Sequence, residues 1–188
     1  MPSPRNQLGS SLLEMVIVIA IIAVISATVA VFVKAPVDGY FDSLRRAALS
    51  DTADTAVRRM ARDIRKALPN SVRIPYPDAQ CLELIPTKMG GRYRGAVGLA
   101  AYGNILNFVA LDSSFNMIGR NSDLLEDQQI QVNDLVAVYN LGVPGADAYL
   151  AENTSPVVAV VDGLETVITI VPKLFPLASG GKRFHVIP

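Results

Sequence analysis

Residues 8–33 read LGSSLLEMVIVIAIIAVISATVAVFV, and this stretch decides how the rest of the chain is read. From Met15 to Val33 no residue is charged. A helix over that run of about 19 residues spans about 28 Å at 1.5 Å per residue, close to the hydrocarbon thickness of a bilayer. Its many Val and Ile residues would suit a strand in water, but in lipid only a helix closes every backbone hydrogen bond within one segment. The run therefore predicts a transmembrane helix, bounded at residues 10–34. Two other readings compete. A secretory signal peptide has an apolar region of about 7–15 residues followed by small residues, which Ala27 and Ala30 imitate, but here the run is longer. The other is a plain signal anchor that is never processed.

A carboxylate, Glu14, stands directly before this run. An ionised group near the membrane interior costs several kcal/mol unless it is paired, so by default it marks a functional site. The plain alternative keeps the Glu14 head in the headgroup layer with no partner. Leu8-Gly9-Ser10-Ser11-Leu12-Leu13-Glu14 resembles the prepilin (class III) signal of type IV pilins and type II secretion pseudopilins. The resemblance implies a short basic leader, residues 1–9 with Arg5 as its charge, that prepilin peptidase removes by cutting between Gly9 and Ser10. Ser10 then becomes the new, N-methylated terminus, and Glu14 occupies the fifth mature position. There it makes the assembly contact, pairing with the Ser10 ammonium of a neighbouring subunit so that each offsets the burial of the other. Ser10 stands where this family usually has Phe, a departure that bears on methylation rather than on the cut. The implied location is the bacterial inner membrane, crossed once, with a periplasmic domain that later enters a pilus or pseudopilus. The implied partners are prepilin peptidase, other major and minor pilins or pseudopilins, the inner-membrane assembly platform and membrane lipid.

After Lys34 and Pro36 a helical period resumes. Phe41, Leu44, Ala48, Ala53, Ala56, Val57, Met60, Ile64 and Leu68 recur at steps of three and four, with Arg45, Arg46, Arg58, Arg59, Arg62 and Arg65 between them. We expect an amphipathic helix within residues 35–70 with one buried stripe, stopped by Pro69-Asn70. Asp42 with Arg46, Asp54 with Arg58 and Arg59 with Asp63 are expected helical ion pairs, each worth about 0.2–0.5 kcal/mol. The arginines could suggest nucleic acid, but aspartates interleave them and no aromatic residues adjoin for stacking, so a solvated face is expected and no nucleic-acid partner.

Residues 71–188 alternate short apolar runs with turn residues. Ser71–Ile74, Cys81–Ile85, Ile105–Leu111, Leu135–Leu141, Val157–Val161, Thr166–Val171 and Arg183–Ile187 read as strands, with loops at Gly90-Gly91, Gly142–Gly145 and Gly180-Gly181. Alternation within Thr166–Val171 is not clean, so that strand is expected to be covered on both faces. One long helix followed by mostly antiparallel strands predicts an α+β domain with the helix packed on the sheet, which agrees with the pilin fold. The segments at 39–74, 135–149 and 180–188 are similar to minor pilins of the MSHA biogenesis (MshO) type, relatives of the PilW proteins and J-type pseudopilins. Those proteins tend to be longer, so an end at Pro188, within an expected strand, suggests a truncated or divergent tail. The implied function is a structural and assembly subunit that primes or caps a filament. A signal-anchored periplasmic binding domain that never enters a filament is the alternative.

Composition narrows the rest. Lys+Arg 17 balances Asp+Glu 17, so no whole-chain field argues for nucleic acid or acidic substrates. The single cysteine, Cys81, cannot close an intramolecular disulfide and is expected as a small buried hydrophobe, with intermolecular pairing as the other reading. An enzyme is not expected: the only histidine, His185, reads as a strand residue, and no nucleophile–base arrangement can be built around it. Gly90–Gly95 lacks the lysine and following helix of a phosphate loop and reads as a turn. The acidic run Asn121–Asp127 offers oxygens that calcium prefers but lacks EF-hand spacing, so neither a metal nor a cofactor is expected.

Overall fold

The computed structural model describes residues 11–77, 80–98 and 103–188. The expected scissile pair, Gly9 and Ser10, and the expected leader lie outside them. One helix, α1, runs Leu12–Arg65 over 54 residues, followed by six strands: β1 Met89–Arg92, β2 Asp112–Met117, β3 Leu135–Val138, β4 Thr154–Val161, β5 Thr166–Lys173 and β6 Arg183–Ile187. The fold is α+β, with pilin-like architecture. The chain divides into two compact units at Arg58/Arg59.

The helix does not stop between the two predicted helical segments. Pro36 lies inside it; lacking an N–H, it gives nothing to the carbonyl of Phe32 and marks the point where a bend is easiest. The helix ends earlier than expected, at Arg65, and the chain then tightens: the Ala67 amide donates to the Ile64 carbonyl at 3.1 Å. Leu68 leaves the helix altogether, its amide donating to Ile85 at 2.8 Å. Asn70 completes the break at φ 60°, a left-handed conformation that Asn tolerates better than most residues.

All strand pairings are antiparallel, in the order β1-β6-β3-β4-β5-β2. The sheet curls until its edges meet: Tyr93, just past β1, bridges Met117 at the end of β2, and the Ile118 amide donates to the Arg92 carbonyl at 2.9 Å. Strand β4 turns the corner. Thr154, Ser155 and Pro156 pair with β3, whereas Val157 to Val161 pair with β5, with an irregularity between Val157 and Ala159.

Phe115, Phe175, Phe184, Val136, Val138, Val157, Ile168, Ile170 and Val186 are buried in the main core, where Phe115 and Phe184 meet edge to face at 5.4 Å. Each such side chain contributes about 1.5–3 kcal/mol by leaving water. The opposite face of β3 is covered by a second cluster, in which Leu68, Ala137 and Ile187 pack with Ile85, Leu135 and Ala148. Coverage on two faces therefore belongs to β3. In β5, Thr166, Ile168 and Ile170 are buried, but Val171 is exposed. Within the second unit, Asn140 ties down the segment leaving the helix. Its Nδ2 donates to Pro69 O at 2.8 Å, its Oδ1 accepts from the Ala148 amide at 2.9 Å, and its carbonyl accepts from Asn70 Nδ2 at 2.9 Å.

Three strand expectations are corrected. Gly90-Gly91 is not a loop but the middle of β1, and a Cβ on Gly91 would lie 2.6 Å from the Phe184 ring, so glycine there lets a core aromatic approach the backbone. The strand expected at Ile105–Leu111 starts only at Asp112. Asp112 Oδ2 accepts from the Asn107 amide at 2.7 Å and Asn107 Oδ1 from the Val109 amide at 2.8 Å, and these local bonds take the backbone out of strand pairing. Ser71–Ile74 and Cys81–Ile85 meet through a single bridge, Arg73 with Glu83. Cys81 is exposed, not buried; of its segment only the far end, Ile85, packs against the second cluster.

Candidate functional site

The helix begins where the Ser11 carbonyl accepts from the Glu14 amide at 2.9 Å and the Met15 amide at 3.3 Å. Glu14 thus sits in the first turn, exposed, at the positive end of the helix dipole, which favours a carboxylate there. From that point to Val33 the helix surface is apolar nearly all round. Leu12 is 82% exposed and Phe32 80%, and no residue of α1 is buried. The Thr28 hydroxyl, one of the few polar groups of the run, turns back on the helix at 2.8 Å from the Ile25 carbonyl, so it asks nothing of its surroundings. By length and composition this is a helix able to cross a membrane. An apolar surface of this extent next to a lone carboxylate is built for lipid and for neighbours rather than for water.

Residues 4–30 match the family model described as the prokaryotic N-terminal methylation motif. The chain carries a prepilin-type N-terminus. Such a motif, on a helix apolar and long enough to cross a membrane, supports a type IV pilin-like, membrane-anchored protein. No curated protein and no solved structure matches the chain.

The remaining predicted features fall on the exposed helix or in the second unit. Along the helix, Asp42 pairs with Arg46 at 3.1 Å and Asp54 with Arg58 at 2.7 Å, both exposed. Arg59 and Asp63 form no ion pair among the described residues. The apolar stripe is not buried: Phe41, Leu44, Val57, Met60 and Ile64 are exposed, and burial starts only with Leu68. His185 lies on β6, half-buried, and that burial, with Arg183 adding to it, holds its pKa below the ordinary histidine range. The acidic run forms two single 3₁₀ turns, Asn121–Asp123 and Glu126–Gln128. Among the described residues no group of three His, Cys, Asp or Glu side chains is placed to hold a metal ion.

Several polar anchors escaped the sequence reading. Asp162 holds the acidic run in place: its carboxylate accepts from the Thr166 hydroxyl at 2.6 Å and from the amides of Asn121 at 3.0 Å and Ser122 at 2.8 Å. Those bonds, the Thr166 hydroxyl foremost, lower its pKa to about 2 against some desolvation. Arg94 and Glu165 form a largely buried ion pair, with Asn116 adding a bond to Glu165 at 3.3 Å. Hydrogen bonding from Arg94 is the main cause that holds the Glu165 carboxyl below its ordinary range. Lys88 and Asp134 make a second buried pair at 2.6 Å. Apart from Asp162 with Thr166, four residues apart, these pairings have no local sequence signal, since the folded sheet brings distant partners together.

Proposed function

We propose that the chain is a minor pilin or pseudopilin, a non-enzymatic subunit of a type IV pilus or type II secretion pseudopilus that primes or caps the filament. On this reading residues 1–9 are removed between Gly9 and Ser10, the Ser10 ammonium is methylated, and Glu14 pairs with that ammonium on a neighbour. Residues 10–34 anchor the subunit in the inner membrane, and the β-rich unit stands in the periplasm until an assembly platform draws the subunit into the filament. The segments at 39–74, 135–149 and 180–188 favour the MSHA-type, MshO-like branch.

The observation that carries the reading is a conjunction in one helix. A prepilin-type motif covers residues 4–30, and the same helix continues to Arg65 without burying a residue. Such a surface stabilises nothing in a lone subunit and becomes useful when lipid or other helices cover it.

Glu14→Ala tests the assembly role. Filament number and co-isolation with other pilins should fall at least tenfold while the melting temperature of the β-rich unit stays unchanged. Undiminished assembly would instead favour an anchored periplasmic binding domain.

A further inference from the structure

The face of the sheet that Leu68 and Ile85 cover over β3 is bare at its β1–β6 end. Register pairs Gly90 with His185 and Arg92 with Arg183, while Ala137 pairs with His185 from the other side. Because side chains alternate along a strand, Gly90, Arg92, Arg183 and His185 share the outward face, and Phe184 and Val186 point into the core. An open cleft of about 470 Å³ lies over these residues, with Ile118 at its margin.

Two observations are unusual for a surface with only a structural role. Arginines directly opposite each other in an antiparallel ladder place like charges on Cβ atoms about 4.5–5.5 Å apart, a destabilising pairing. Among the described residues neither guanidinium makes an ion pair, and no carboxylate lines the cleft. Gly90, in turn, occupies a strand position whose φ does not require glycine, where it weakens the strand and leaves space. A Cβ there would approach His185 Cδ2 to 3.4 Å and begin to fill the cleft.

We propose that this cleft is an oxyanion site for a phosphate group, gripped between Arg92 and Arg183, with an N–H of His185 as a further donor and Gly90 as its open floor. Two guanidinium forks match the charge of a phosphate dianion, and a phosphodiester monoanion still offers two charged oxygens, one to each fork. The phosphate can belong to the free ion or to a phospholipid headgroup. The site does not depend on assembly into a filament.

His185 is the only histidine, so its imidazole resonance is a single clean reporter. The test titrates inorganic phosphate into the full chain in a maltoside detergent at pH 7 and constant ionic strength. The His185 resonance should shift to saturation and the melting temperature should rise, as binding to the folded state requires. Arg92→Gln and Arg183→Gln should each weaken the response at least tenfold, with phosphate-free melting equal to or above that of the parent because repulsion is relieved. Gly90→Val should abolish the response without changing charge, and Arg45→Gln on the exposed helix should leave it intact. A parallel titration with dihexanoyl phosphatidylglycerol separates the sources: a response at lower concentration than phosphate assigns the headgroup, and the reverse order assigns the free ion. The proposal is overturned if both ligands shift His185 no more than chloride does, or if Gly90→Val or the double arginine variant responds like the parent.

Discussion

The helix up to Arg58 and the unit from Arg59 onward use the same aliphatic residues to opposite ends. In the helix, Ile, Val and Leu point outward on every side and none is buried. In the second unit, Val136, Val138, Ile168, Ile170 and Val186 are closed inside a curled sheet. The second unit draws its stability from its own contacts, whereas the helix depends on a lipid or subunit environment for what its composition offers. Apolar content by itself therefore does not locate a core. Its period does: almost every position apolar and none charged over Met15–Val33, against alternate positions facing inward in the strands.

Substitutions in the two regions should differ accordingly. Phe184→Ala should be the most damaging, because its ring fills the centre of the core against Phe115. A loss of about 3–5 kcal/mol is expected, read as a fall in the melting temperature of the β-rich unit. Asn140→Ala should cost about 1–3 kcal/mol by leaving partners at Pro69 and Ala148 unmet. Hydrogen exchange should show where, with faster exchange at the Leu68 and Ser71 amides than at Val136.

Asp162→Asn should cost about 1 kcal/mol at neutral pH, since the carboxylate is exposed despite its bonds. The folded-state pKa of Asp162 is depressed from 3.8 to about 2, so its contribution is complete above about pH 4 and is lost as the pH falls towards 2. Denaturation of the parent and variant should accordingly converge across that window. Leu49→Ala should be the smallest effect on stability, within about 0.5 kcal/mol, because Leu49 is 72% exposed. If Leu49→Ala destabilised the β-rich unit as Phe184→Ala does, the contrast between the regions would fail.

Much of this was legible in the sequence where a signal is local. The uncharged run gave the first helix, a carboxylate beside it singled out Glu14, and dense β-branched runs gave β3 to β6. What was hidden depends on contacts between distant residues. Gly90-Gly91 looks like a turn until Phe184 is seen to need the space. The strand β2 opens on Asp112, Ser113 and Ser114, polar residues whose pairing with β5 no local pattern announces. Pro36 suggested a boundary, yet the helix runs through it. Arg92 and Arg183 become neighbours only through the register of β1 on β6.

Processing as a prepilin to a mature form is tested most directly by the intact mass of the full-length gene product isolated from the membranes of cells with an active prepilin peptidase. The predicted result is a chain that begins at Ser10, with or without one added methyl group. A chain that still begins at Met1 in those cells would contradict it.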